Sequence, residues 1–161
     1  MIPLLLALAL AVSPPPEIST LQTAEAVLAL PALHAPGTHV VHFWATWCGP
    51  CVEELPGFVE RARALAAQGV DFTFLSLDPA EELQRTVLPT LTRAGAFFAG
   101  AHHHRVSEAI DPEAITRKLD RSWQGGLPAT FIYKDGKQVG VFRGAREAHA
   151  LDHLGKPKSS R

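Results

Sequence analysis

The sequence FWATWCGPC, residues 43–51, contains both cysteines of this 161-residue chain. Cys48 and Cys51 lie three positions apart, after an apolar segment and at the start of a segment with helical periodicity. Two thiols at this spacing can close a disulfide ring and reopen it by thiol-disulfide exchange. If a helix begins near Gly49, its unpaired N–H groups and the positive end of its dipole favour a thiolate at Cys48. We therefore expect Cys48 to be the attacking nucleophile and Cys51 to resolve the mixed disulfide.

The segments around the two cysteines predict a strand, a helix and a second strand. Residues Thr38–Trp44 are apolar almost throughout, which is typical of a central strand covered on both faces. After the cysteines, apolar residues recur every three or four positions, and this pattern predicts a helix that ends at Gly69. Pro50 suits the first turn of that helix, whereas Pro56 should kink it. Val70–Leu77 is the next predicted strand.

The rest of the chain predicts four further helices and a hairpin. The first predicted helix covers residues 19–30, with Ser19 or Thr20 as N-cap. The second runs from Ala80 or Glu81 to Arg93 and should bend or break at Leu88-Pro89. The third runs from Pro112 to Arg121 with Asp111 as N-cap, and the last covers residues 146–154. Residues 126–133 and 138–142 predict a hairpin, because the Asp135-Gly136 pair between them is a strong turn signal.

This order of elements, with Trp-Cys-Gly-Pro-Cys after the strand Val-Val-His-Phe-Trp-Ala, resembles the thioredoxin superfamily. The segment Cys51-Val-Glu-Glu-Leu-Pro56 is similar to exported thiol-disulfide oxidoreductases of the TlpA/ResA type, and the resemblance covers about residues 36–146. It implies an α/β thioredoxin fold, in which helices flank a central mixed β-sheet, with an N-terminal extension and an insertion before the last strand pair. The implied divisions are a signal peptide or short hydrophobic anchor (1–13), a linker and N-terminal helix (14–35), a thioredoxin-like domain (36–155) with its insertion at 95–126, and a disordered tail (156–161).

The resemblance also implies residues that bind the substrate. Pro128 matches a proline that has a cis peptide bond and sits against the Cys-x-x-Cys segment in this family. The backbone of Leu127, just before it, would hydrogen-bond an extended substrate segment. Trp47, Gly49 and Pro50 would complete the substrate-binding face around the dithiol.

Glu54 and His42 are the candidates for proton transfer. Glu54 lies on the same side of the predicted helix as Cys51, and the family acid at this position is thought to tune cysteine pKa values and accept protons. The alternative for Glu54 is a solvated helix charge, which is our interpretation of Glu53. His42 stands six positions before the first cysteine, where thioredoxin has a buried aspartate. It is either a proton relay for Cys51 or a core histidine with a satisfied hydrogen bond.

The composition limits the classes of partner and cofactor. With 15 basic and 16 acidic residues, the net charge is -1, which does not favour binding to nucleic acid. Two cysteines at this spacing make neither a structural disulfide framework nor a four-ligand zinc site. We therefore expect no metal and no organic cofactor. The run His102–His104 predicts a solvated loop, because consecutive side chains point in different directions and cannot easily bind one metal ion.

The first residues predict a targeting segment. Residues 2–12 form an uninterrupted apolar run of 11 residues. This length fits the hydrophobic region of a secretory signal peptide and is shorter than the about 20 residues that cross a bilayer. The run has no basic segment before it, so a buried or membrane-associated terminal helix is the alternative. Cleavage would imply export, for example to a bacterial periplasm, and membrane contact would involve only residues 1–13.

Together these patterns predict an exported, monomeric thiol-disulfide oxidoreductase that acts on protein thiols and disulfides. The resemblance favours the reducing direction, with an upstream redox donor and with cytochrome c maturation or periplasmic thiol repair as settings. One alternative is a soft-metal-binding or metal-delivery protein that uses Cys48, Cys51 and a histidine. Another is a non-catalytic binding module that keeps the fold for partner recognition.

Overall fold

The computed structural model describes residues 16–144, 151–152 and 154. Within them, six strands form one mixed sheet in the order β1-β4-β3-β2-β5-β6. The strands are β1 (Ser19–Leu21), β2 (Thr38–Trp44), β3 (Val70–Ser76), β4 (Ala101–Val106), β5 (Ala129–Lys134) and β6 (Lys137–Arg143). The helices are α1 (Ala24–Leu28), α2 (Gly49–Ala66), α3 (Leu88–Ala94) and α4 (Pro112–Leu119), with a 3-10 turn at Pro31–Leu33 and a π-helical turn at Leu83–Val87.

Strand β2 is the centre of the sheet. It pairs in parallel with β3 and antiparallel with β5, and six of its seven residues are buried. Val40 and Trp44 pack with α2 and α3 on one face, whereas Val41 and Phe43 pack with α1 and α4 on the other. This burial on both faces explains why the strand is apolar almost throughout. The predicted α/β class, a mixed sheet flanked by helices, is confirmed.

Predictions that rest on local signals are confirmed closely. Helix α2 begins at Gly49 and includes Pro56, as the periodicity predicts. The β5–β6 hairpin closes through Asp135 and Gly136, which have φ angles of 50° and 73°. A two-residue hairpin loop needs positive φ at both positions, which the Asp-Gly pair adopts readily. Helix α4 follows Asp111, whose Oδ1 accepts the N–H of Glu113 at 3.0 Å.

The helix predicted from Ala80 or Glu81 to Arg93 is present in two parts. The π-helical turn Leu83–Val87 precedes α3, which begins at Leu88 and ends at Ala94. Pro89 lies in the first turn of α3, where its missing N–H leaves no hydrogen bond unmade. The change in helix geometry therefore falls at the predicted break.

The prediction of a helix over residues 19–30 is wrong for its first residues. Ser19–Leu21 is strand β1, which pairs in parallel with β4. Helix α1 begins only after Thr23, whose Oγ1 accepts the N–H of Ala26 at 3.1 Å, so neither Ser19 nor Thr20 is the N-cap. Three residues can form a strand here because β4, more than 80 residues later, supplies the hydrogen-bonding edge. A local sequence pattern cannot indicate such a distant partner.

The prediction of a solvated loop at His102–His104 is also wrong. These residues are part of β4, which lies between β1 and β3. His103 is buried, stacks on Phe74 with ring centroids 4.9 Å apart, and its Nε2 contacts the Ala96 carbonyl at 3.0 Å. The side chains do point to alternate faces, but tertiary pairing buries one of them. The predicted insertion, residues 95–126, therefore supplies a strand of the central sheet.

Several predictions lie wholly or largely outside the described residues. They are the apolar segment 1–13, most of the helix predicted over 146–154, and the tail 156–161. Of that helix, Leu151 is buried in the core beside α2, and Asp152 forms an ion pair with Arg61. Among the described residues, no helix has both the length and the apolar character needed to span a membrane.

Acidification should reveal the cost of burying His103. Burial lowers the pKa of His103 from its ordinary 6.5 to about 4, and its Nδ1 has no hydrogen-bond partner in the described part of the chain. Between these values the unfolded chain binds a proton that the folded chain does not, so the free energy of unfolding falls as the pH falls through this window. The total loss is about 3 kcal/mol. Urea denaturation at a series of pH values measures it.

The control for this prediction uses the neighbouring histidine. His103→Phe keeps a ring between Phe74 and Phe97 but cannot titrate, so the stability of this variant should vary less between pH 6.5 and 4. His102→Gln changes an exposed position of the same strand and should keep the parent pH dependence. An undiminished pH dependence in His103→Phe would contradict the prediction.

Candidate active site

The two cysteines form a disulfide at the start of α2. Cys48 is the N-cap residue of this helix, and its Sγ accepts the N–H of Cys51 at 3.3 Å. Gly49 and Pro50 form the first helical positions, where backbone N–H groups have no partner within the helix. The sulfur of Cys48 therefore lies at the positive end of the helix dipole, which favours negative charge there.

Access to the disulfide is one-sided. Trp47 is 64% exposed, and Gly49 and Pro50 are also exposed. Cys48 keeps 7% of its surface accessible, whereas Cys51 keeps 1% and lies in the core cluster under α2. A reagent or protein that approaches the disulfide meets Trp47 and Cys48 first. The structure thus brings together four of the predicted site residues around the entrance and buries the fifth, Cys51.

The Leu127–Pro128 segment lies beside the same end of β2. Its peptide bond is cis, as the resemblance implies. Pro128 precedes Ala129, which pairs with Phe43 of β2, so the segment reaches the point where β2 leads into the cysteine loop. Leu127 is half-buried and packs against the core cluster that contains both cysteines. The substrate-binding role of the Leu127 backbone stays a prediction.

Glu54 lies one turn beyond Cys51 on α2. The residue is partly buried, and its Oε2 is buried without a hydrogen-bond partner among the described residues. A buried carboxylate oxygen without a donor is costly, so such groups in proteins call for an explanation. Glu53, by contrast, is exposed, as a solvated charge should be. Of the two acids, only Glu54 directs an oxygen into the protein.

His42 is a buried residue of β2. Its Nδ1 contacts the hydroxyl of Thr130 at 2.9 Å, and its ring stacks on Phe58 with centroids 4.2 Å apart. Phe74 lies at its edge, with centroids 5.9 Å apart. These contacts fit the alternative of a core histidine with a satisfied hydrogen bond. The proton-relay role for Cys51 stays a prediction.

Sequence analysis missed Asp78, which follows β3 at its carboxyl end. The residue is fully buried, and its carboxylate accepts the backbone N–H of Thr46 at 3.0 Å, two residues before Cys48. In the sequence, Asp78 only follows the last residue of the predicted strand Val70–Leu77. The carboxyl ends of neighbouring parallel strands meet at one edge of a sheet, so an acid just after β3 lies close to the loop after β2. This rule for parallel strands would have placed Asp78 near the cysteine loop from the sequence.

An apolar groove of about 350 Å³ opens next to Trp47. It lies on the face of the sheet opposite α2, and its walls include Leu77, Val106, Ile115 and Trp123. Trp123 is held by its Nε1, which donates to the Gly126 carbonyl at 2.8 Å. This hydrogen bond fixes the indole ring of Trp123 in the wall of the groove. No group of three or more His, Cys, Asp or Glu side chains in the described ranges is arranged to hold a metal ion.

A Cys-x-x-Cys disulfide at the start of the helix after the central strand, beside a cis-proline that leads into an antiparallel hairpin, defines a thioredoxin-like protein. The chain belongs to the redoxin family, whose model matches residues 13–153. The resemblance to the thioredoxin superfamily and the expected thioredoxin fold are therefore confirmed.

Individual relatives match in part. A thiol:disulfide interchange protein DsbE homolog from Paracoccus denitrificans is 46% identical over 39 residues, which are 24% of this chain and 22% of that protein. Thioredoxin from Rhodospirillum rubrum is 43% identical over 44 residues, 27% of this chain and 42% of that protein. The matched segments thus span less than half the length of either relative.

Two solved structures show the same fold over most of the chain. A thioredoxin-related protein from Neisseria meningitidis serogroup B has a TM-score of 0.56 and 21% identity, covering 73% of this chain and 82% of its own. A thiol:disulfide interchange protein of the thioredoxin family from Chlorobium tepidum has a TM-score of 0.53 and 24% identity, covering 73% and 77%. At these identities the likeness concerns the fold.

Proposed function

We propose that this protein is a thiol-disulfide oxidoreductase that exchanges its Cys48–Cys51 pair with disulfides of partner proteins. The observation that carries the proposal is the position of the Cys48 sulfur. It accepts an N–H of the first turn of α2, next to an exposed tryptophan. A helix N-terminus stabilises a thiolate, and the thiolate is the attacking species in exchange. The family membership and the similarity to a thiol:disulfide interchange protein from Paracoccus support the same activity.

The exchange needs no group beyond the two thiols and a proton acceptor. The Cys48 thiolate attacks one sulfur of a substrate disulfide, forms a mixed disulfide, and releases the other substrate sulfur as a thiolate. The Cys51 thiol then loses its proton and attacks the Cys48 sulfur. This step closes the Cys48–Cys51 bond and releases the second substrate thiolate. Two electrons pass from the dithiol to the substrate, and the two thiol protons balance the two substrate thiols.

We place the substrate along the face that surrounds the dithiol. Trp47, Gly49 and Pro50 are exposed beside Cys48, and the backbone of Leu127 lies next to Pro128 at the end of β2. An extended peptide gains main-chain hydrogen bonds when it pairs with the backbone of such a segment. The substrate segment that carries the disulfide would then present its sulfur to Cys48.

We further propose that the protein works as a monomer outside the cytoplasm and in the reducing direction. The apolar run at residues 2–12 and the similarity to a DsbE homolog support this setting. In an oxidising compartment a reductant needs an upstream dithiol donor to restore Cys48 and Cys51. Cytochrome c maturation and repair of exported thiols are two settings that need such a reductant.

Trapping variants test the assigned order of attack. Cys51→Ser should accumulate a mixed disulfide on Cys48 with a model protein disulfide, because no second thiol can release it. Cys48→Ser should reduce turnover to background, since Cys51 is 1% exposed. Non-reducing electrophoresis and mass spectrometry identify the trapped sulfur. Accumulation on Cys51 in the Cys48→Ser variant, with none on Cys48, would contradict the assignment.

The reduction potential of the Cys48–Cys51 pair tests the direction. We expect a value near that of thioredoxin, about -270 mV, after equilibration in dithiothreitol or glutathione buffers. A value near -120 mV, typical of a strong oxidant of exported proteins, would overturn the reducing assignment but leave the exchange chemistry intact.

Glu54→Gln tests proton transfer from Cys51. If the Glu54 carboxylate accepts that proton, its loss should slow the release of the mixed disulfide by about 10²-fold, the lower end for general-base catalysis. The attack by Cys48 should change little, so rapid-quench kinetics should show the mixed disulfide accumulating. Glu53→Gln, at the exposed neighbouring position, is the matched control. Equal release rates in both variants would remove Glu54 from the mechanism.

A further inference from the structure

Asp78 is a buried carboxylate whose oxygens are fully occupied by donors from the active-site loop and its own strand. The backbone N–H of Thr46 lies 3.0 Å from Oδ1 and 3.1 Å from Oδ2. The hydroxyl of Thr46 donates to Oδ1, and the hydroxyl of Ser76 donates to Oδ2 at 2.6 Å. The side chain of Asp78 receives all of these hydrogens and donates none. The carboxylate therefore accepts the Ser76 hydroxyl and holds Thr46 by both its main chain and its side chain.

Asp78 is itself held firmly. Its backbone N–H donates to the Ser76 hydroxyl at 3.1 Å, and Nη1 of the buried Arg105 donates to its backbone carbonyl at 3.3 Å. The carboxylate is fully buried, so it cannot rotate into solvent. Because the Asp78 carboxylate is held in place, the hydrogen bonds that Thr46 donates to it restrict the movement of Thr46. The anchor of Thr46 is thus a fixed point between β3 and β4.

Thr46 is also attached to the segment before α3. Its hydroxyl oxygen lies 3.2 Å from that of Thr86, which in turn contacts the Glu82 carbonyl at 3.1 Å. Thr46 therefore joins the loop after β2 to the segments that follow β3. Within the loop, the Cys48 N–H donates to the Ala45 carbonyl at 3.2 Å, and the Cys48 carbonyl accepts the N–H of Val52 at 3.2 Å.

Thr46 lies close enough to Cys48 in the chain for its anchoring to affect the position of the Cys48 sulfur. Only Trp47 separates the two residues, and Trp47 is exposed, so packing does not fix it. The Cys48 sulfur must stay within reach of the Cys51 N–H to benefit from the helix N-terminus, an effect that falls off within the first turn. A loop free to move at Thr46 would let Cys48 leave that position.

We propose that Asp78 is a positioning residue that acts through Thr46 to hold the Cys48 sulfur at the N-terminus of α2. This role rests on the proposed function, because it concerns the nucleophile of the exchange reaction. It goes beyond simple stabilisation of the loop. Loss of a purely stabilising contact would change only the stability of the protein. Loss of a positioning contact would also change the pH at which Cys48 becomes a thiolate.

Alkylation of Cys48 as a function of pH tests this role. The full chain carrying Cys51→Ser has one thiol, so the rate with iodoacetamide reports Cys48 alone. Thr46→Val removes the hydroxyl donor while keeping the shape of the residue, and it should raise the pH midpoint of alkylation by about one unit. Thr46→Ser keeps the hydroxyl and should keep the parent midpoint. Thr73→Val makes the same change at a buried threonine of β3 and should shift nothing.

The charges that face the loop are the same in these variants. They are Asp78 itself, Arg105 on β4, Glu82 before the π-helical turn, and Glu54 on α2. A midpoint shift in Thr46→Val therefore reports a change in the position of the sulfur rather than a change in charge. Unfolded chains would react with the midpoint of an ordinary thiol, so each variant must show the far-ultraviolet circular dichroism of the parent across the pH range.

A coupling experiment links the effect to Asp78. Asp78→Ala removes both acceptor oxygens, so adding Thr46→Val to it should shift the midpoint by less than a third of the shift seen in the parent chain. Additive shifts would overturn the role of Asp78. If Asp78→Ala does not fold, the Thr46 variants decide the question alone.

The outcomes separate this inference from the proposed function. A lowered midpoint in the parent chain that Thr46→Val leaves unchanged would overturn the positioning role and leave Cys48 as the nucleophile. A parent midpoint at the ordinary thiol value, about 8.5, would overturn both the assignment of Cys48 as the activated nucleophile and the positioning role of Asp78. A raised midpoint in Thr46→Val that Thr46→Ser restores would support both.

Discussion

The loop of residues 45–48 must leave the buried end of β2 and enter the first turn of α2 within four residues, and this constraint organises the structure around it. Strand β2 is held on both edges by β3 and β5 and on both faces by core clusters, so its end cannot move. Helix α2 packs its apolar side, including Cys51, onto the same sheet. The loop therefore spans two immobile ends, and Cys48 occupies the N-cap position that results.

Buried polar groups cluster around this loop, and they differ in how well they are satisfied. The Asp78 carboxylate accepts hydrogen bonds at both oxygens, whereas Oε2 of Glu54 has no partner within the described residues. Burial of an unpaired polar atom costs stability, and proteins retain such groups mainly where chemistry needs them. The satisfied acid agrees with a role in holding the loop, and the unsatisfied acid agrees with a role in moving a proton.

The face of the sheet opposite α2 adds a second feature to the same site. The groove beside Trp47 is lined mainly by residues from β4, α4 and the segments that follow them, together with Phe43 and Leu77. Residues 95–126, the predicted insertion, therefore supply both a strand of the sheet and much of the groove wall beside Trp47. His104 contributes to the same architecture, since its Nδ1 contacts the Ser19 hydroxyl at 2.6 Å and joins β1 to β4.

Four local features of this protein can be predicted from its sequence: the apolar strand β2, the start of α2 at Gly49, the Asp-Gly hairpin turn and the N-cap of α4. Each depends on residues close together in the chain, so its signal is visible without a fold. Three other features follow only from tertiary contacts: Ser19–Leu21 is a strand, His103 is buried, and Asp78 holds Thr46. Each of these depends on a partner that the sheet brings from a distant part of the chain. A pairing edge, a stacked ring and a buried acceptor exist only once the strands have assembled.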